Sequence, residues 1–286
     1  DTTRHGIAMG SGVTPSPVGS IPNRDILVTG CILNSQTAGV AAADGHGNCE
    51  FVTFDNNDIL SSIQLGGDNN FITNNTIRTC DASASKSVAI FLLDLLGPNF
   101  VISGNRIVAT DDVSGTSGAL ISVARNNNEW AYTTRSGTLK IANNDLYYAS
   151  YSGVGIIVRN SWLLPATATI DVVIQNNRIH GNAGATNRIA IYVLGTSDGT
   201  KGFKTVIVDG NTLTACSMLL DMVSAGYTQI SNNTILRASG AAITYDPCAT
   251  YSTAYQAEEE MIAVIRRSAS TRTAPHPPPS APACAW

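Results

Sequence analysis

Short runs in which apolar and polar residues alternate fill most of the chain, and one eight-position pattern recurs: apolar, any, apolar, any, Asn or Gly, Asn, any, apolar. It occurs as VTFDNNDI (52–59), NFITNNTI (70–77), VISGNRI (101–107), LKIANNDL (139–146), VVIQNNRI (172–179), VIVDGNTL (206–213) and TQISNNTI (228–235). An eighth copy, ILVTGCIL (26–33), carries Cys31 where the others carry Asn. Taking the second Asn as a marker places it at 57, 75, 105, 144, 177, 211 and 233, with gaps of 18, 30, 39, 33, 34 and 22 residues. The strand is constant and the loops vary. Between markers lies a second apolar run: 39–44, 62–65, 88–94, 119–125, 153–159, 189–194, 218–223 and 241–246, with 5–10 as one more. Period-two alternation rich in β-branched residues and bounded by Gly, Asn and Ser predicts two or three short strands per repeat. Repeats of this length predict coils that stack on their neighbours.

This residue pattern resembles the right-handed parallel β-helix superfamily, the pectate-lyase-like architecture of polysaccharide-processing enzymes and phage tailspikes, over about residues 5–248. The resemblance implies an all-β solenoid of about eight to nine coils, expected over 1–250. A marker at the same corner of successive coils predicts side-chain amides stacked at the inter-strand spacing of about 4.8 Å, bonded to one another and to turn backbone. The sequons Asn74-Asn75-Thr76 and Asn232-Asn233-Thr234 fall on this ladder and read as turn residues. Beyond it, 251–268 has Glu early, Arg late and an apolar face, which predicts a helix capping the last coil. Residues 269–286 are Pro-rich and aperiodic, which predicts disorder.

Composition narrows the function. Lys plus Arg number 17 against 21 Asp plus Glu, a net charge of −4, whereas a nucleic-acid binder usually shows a basic face. Charged residues make up 13%, about half the usual share, and 24 Asn favour turns over amphipathic helices. No apolar run approaches the ~18 residues of a membrane span, and the N-terminus has no signal-peptide pattern. The six Cys show no metal spacing, so free buried thiols and no metal or other cofactor are expected. His46, in Gly45-His46-Gly47, matches one polygalacturonase motif. The Asp-Asp pair that precedes it in that family occurs here only much later, as Asp111-Asp112, and the family's other motifs are absent.

Function is therefore expected on the outside of the coil. Long connections at 126–138, 160–170 and 195–205 belong to consecutive coils and should emerge from one corner as a wall. They hold Glu129, Trp130 and Tyr132, then Trp162, then Asp198 and Lys201. Aromatic faces beside polar groups suit sugar rings, so Trp130, Tyr132, Trp162, Tyr192 and Lys201 are the expected substrate-binding residues. Strand alternation turns Arg159, Tyr192 and Asp221 outward beside the wall. For glycoside hydrolysis two carboxylates are needed, about 5 Å or about 6.5–9.5 Å apart; Asp221 with Asp246, or Glu129 with Asp198, fit adjacent or alternate coils. For a lyase Arg159 and a lysine would neutralise a uronate. The catalytic candidates are thus Glu129, Arg159, Asp198 and Asp221. The expected protein is an extracellular or virion-surface, carbohydrate-active β-helix that binds a polysaccharide or surface glycan, with cleavage, as a glycoside hydrolase or a lyase, left open. The alternatives are a non-catalytic adhesin or spike and a fragment of a larger enzyme. The likeness to tailspikes leaves assembly as a homotrimer open.

Overall fold

The computed structural model describes residues 6–9, 23–35, 41–45, 49–79, 88–95, 99–109, 119–123, 137–148, 154–159, 170–181, 189–194, 203–222, 227–236 and 243–247. The helix and tail expected after residue 250 lie outside them. The described residues contain no helix and form three parallel sheets, one of nine strands and two of eight. Each coil contributes one strand to each sheet in the order A, B, C. The fifth coil, for example, runs through Ala119–Val123, Gly137–Ala142 and Asp145–Tyr148, and the sixth through Val154–Arg159, Ile170–Gln175 and Arg178–His180. Eight coils have all three strands, and Ile243–Pro247 opens a ninth. The fold is a right-handed parallel β-helix.

Sequence alternation sets the inside. Like residues stack on like along each inner face, as in Ile72, Ile102, Ile141, Ile174 and Val208 of sheet B, all fully buried. Sheet C does the same with Ile59, Ile77, Ile107, Leu146, Ile179 and Leu213. Each such side chain contributes about 1.5–3 kcal/mol of burial free energy, and β-branched stacks fit the pleat.

The marker explains the corner between sheets B and C. The residue before it has positive φ in every coil: Gly30, Asn56, Asn74, Gly104, Asn143, Asn176, Gly210 and Asn232, between 52° and 70°. Gly adopts this left-handed conformation without strain and Asn more readily than most residues, which is why the pattern reads Asn or Gly there. The marker itself turns inward and is buried in all seven coils. From Asn75 onward each marker Oδ1 accepts both the backbone N–H and the Nδ2–H of the marker one coil earlier, at 2.9–3.0 Å, and Asn57 Oδ1 accepts the Cys31 N–H. Each Nδ2 also donates to a carbonyl of the preceding sheet B strand, as Asn144 does to Ile102. The expected amide ladder is present, and it satisfies polar backbone that the core would otherwise strand.

The thiols differ from expectation in one case. Cys49 and Cys216 are buried thiols outside any disulfide, but Cys31, at the open end of the ladder, is an exposed one. Burial pushes the Cys49 thiol up to about 11, with the Asp44 carboxylate adding to the effect. A raised thiol favours the neutral folded form, so its contribution to stability is complete below the unfolded value of about 8.5 and is lost as pH rises through about 11. Iodoacetamide at mildly alkaline pH should therefore label Cys31 well before Cys49, as read by peptide mass mapping; equal labelling would contradict this burial.

Candidate functional site

Sheet A carries the residues expected to line a groove. The connections at 124–136, 160–169 and 195–204 all leave the corner between sheets A and B, in three consecutive coils. Glu129, Trp130, Tyr132, Trp162, Asp198 and Lys201 lie outside the described residues. Tyr192 faces outward from Ile189–Leu194, between the buried Ile191 and Val193, and is half-buried. One row further along, Arg159, Leu194, Asp221 and Asp246 stand in direct register on four successive strands. Arg159 and Asp221 thus share one register row of sheet A, on the strands either side of the one that carries Tyr192. That face is not uniformly open: Ser122 and Ile157, outward by alternation, are 5% and 2% exposed.

A second constellation lies on the outer face of sheet C and was missed in the sequence. The residues one and three places after each marker point outward there, giving the rows Arg106, Asp145, Arg178 and Val108, Tyr147, His180 in register on successive coils. Tyr147 and His180 stack with ring centroids 4.4 Å apart and 9° between planes. The Tyr147 hydroxyl donates to Asp145 Oδ2 at 2.9 Å, and His180 Nε2 meets Asp145 Oδ1 at 3.2 Å. Arg106 stands over the outer side of the Tyr147 ring, 5.7 Å from its centroid, within cation–π reach.

The electrostatics follow from this geometry. The hydrogen bond to Asp145 raises the Tyr147 phenol above its ordinary value, with burial and the Asp145 charge acting in the same direction. Tyr147 is therefore a donor and not a base at neutral pH. One carboxylate holds both rings in place, in the way an aspartate orients a catalytic imidazole. Among the described residues nothing engages His180 Nδ1, and the His180 and Asp145 side chains are each 34% exposed. The signal was available: marker plus one and plus three read Arg-Val, Asp-Tyr and Arg-His in three consecutive copies. No group of three His, Cys, Asp or Glu among the described residues is placed to hold a metal.

A three-sheet parallel solenoid with varied loops and a charged, aromatic outer face defines the class as a pectate-lyase-like β-helix. The chain belongs to the Gp49, pectin lyase-like family, whose model matches residues 1–225. No curated protein and no solved structure matches it. No helix among the described residues is long and apolar enough to cross a membrane.

Proposed function

We propose that this protein binds a polysaccharide laid along the coil axis over the outer face of sheet C, outside the cell or on a virion surface. The observation that carries this reading is the Asp145-anchored stack of Tyr147 on His180, held partly exposed on a flat sheet. Rungs repeating at about 4.8 Å suit a polymer better than a compact ligand, which would need walls. The rings present polar edges for hydroxyls and apolar edges for sugar C–H groups. Membership of a pectin lyase-like family supports a polysaccharide as the partner.

A second reading, cleavage on sheet A, is favoured by the register of Asp221 with Asp246. Neighbouring parallel strands are about 4.8 Å apart, close to the ~5 Å separation of the two carboxylates in a retaining glycosidase. Binding and reducing-end release from a panel of neutral and acidic polysaccharides test both readings. His180→Gln and Tyr147→Phe should each weaken binding about tenfold, roughly one hydrogen-bonded contact, while Asp221→Asn should abolish release and leave sheet C binding intact. Binding unmoved by either sheet C variant would overturn the first reading. Release unmoved by Asp221→Asn, or absent throughout, would overturn the second.

A further inference from the structure

Resting on the reading that a glycan occupies sheet C, we infer that this glycan is polyanionic and that Arg106 and Arg178 hold its acidic groups. Four arginines have described side chains. Arg24 is paired with Glu50, and Arg78 grips Asp58 through both carboxylate oxygens at 2.9 and 3.0 Å. Arg106 and Arg178 are exposed and make no ion pair among the described residues, although Asp145 stands between them in the same row.

Asp145 is turned toward the adjoining row, where one oxygen accepts the phenol proton and the other faces the imidazole, and it pairs with neither guanidinium. The raised phenol keeps Tyr147 uncharged. Among the described residues the patch therefore carries two cations against one carboxylate, on a chain whose net charge is −4.

An unpaired, exposed guanidinium is a planar fork that fits a carboxylate or sulfate through two parallel hydrogen bonds. The two forks lie two coils apart, about 10 Å along the axis, with the Tyr147–His180 stack in the adjoining row. A linear polymer with acidic groups at a regular repeat meets both forks and passes neutral parts of its sugars across Asp145. A uniformly charged strand such as nucleic acid would place phosphate against Asp145 and against the negative field of the whole chain.

The test uses the full chain, duplex DNA and four glycan probes: polygalacturonate, the same polymer with its carboxyls reduced to alcohols, dextran sulfate and dextran. The expected result is binding of polygalacturonate or dextran sulfate at least tenfold tighter than of its neutral counterpart, with the preferred probe identifying the oxyanion. Arg106→Gln and Arg178→Gln should each lose about tenfold for the acidic polymer, and the double variant should fall to the neutral level. Arg178→Lys, which keeps the charge but not the fork, should retain part of the affinity. Unchanged unfolding midpoints establish that the variants are folded. Equal binding of acidic and neutral polymers, reduced by His180→Gln but not by the arginine variants, would overturn this inference and leave the glycan reading standing. Binding of none of the four would overturn the glycan reading, and this inference with it. Duplex DNA bound as tightly as the acidic glycans would overturn the assignment of ligand class.

Discussion

Asn144→Ala should lower the unfolding free energy by about 4 kcal/mol, although the residue touches no part of either outer face. Its Oδ1 accepts from the backbone N–H and the Nδ2–H of Asn105, both at 3.0 Å, and its Nδ2 donates to Ile102 O and Asn177 Oδ1 at 3.0 Å. It is 1% exposed, so water cannot replace these partners. Leaving a buried donor or acceptor unpaired costs about 1–3 kcal/mol each, and Asn105 Nδ2 keeps a second acceptor in Ile72 O, which limits the sum. Asn144→Asp should be nearly as damaging despite its matching shape, because it removes the two donors and buries a charge. The shift of the urea midpoint measures both. A loss under about 1 kcal/mol for the alanine variant would mean that the ladder decorates the corner without holding it.

Gly67→Ala should be at least as severe, with a loss above about 3 kcal/mol and little soluble protein. Gly67 has φ +94°, and an added Cβ would fall inside the envelope of the Cys49 carbonyl oxygen, carbon and nitrogen. These are backbone atoms of the neighbouring coil, fixed by the Asp68 N–H donating to Cys49 O at 3.0 Å, so no rotamer change relieves the overlap. Gly30→Ala is the matched control: its φ is +66°, but no atom lies within 4 Å of the added methyl. It should cost about 1 kcal/mol, the left-handed penalty alone. Equal losses at the two positions would show that backbone strain, and not coil-to-coil contact, decides both.

The fold was legible because the corner between sheets B and C tolerates so few residues. A left-handed position followed by a buried amide forces Asn or Gly and then Asn, whatever the length of the loops elsewhere, and Asn57 to Asn233 therefore mark the coils in the bare sequence. The site was legible only in part. Tyr192 is half-buried between the buried Ile191 and Val193, and Arg159 and Asp221 share a register row of sheet A. Tyr147 and His180 escaped notice because they are 33 residues apart in the chain and adjacent only through the stacking of coils. Long loops mark the corner between sheets A and B, whereas the cluster sits on sheet C, which a two-residue connection joins to sheet B in its coils. Asp145-Leu146-Tyr147 differs from Asp58-Ile59-Leu60 of the second coil in Tyr147 for Leu60 and in the neighbours above and below.

The amide ladder also gives the molecule a direction. Every Oδ1 faces the coil before it and every Nδ2 links to the coil after it, from the Cys31 N–H donating to Asn57 to the last link, Asn211 to Asn233. The side-chain dipoles are parallel, so the stack is polar, with an acceptor-poor pole at Asn233 and a donor pointing inward from Cys31 at the other. Two copies brought together end to end would meet as unlike poles only head to tail, and adding a coil is likewise a one-way act, since a reversed coil would set oxygen against oxygen.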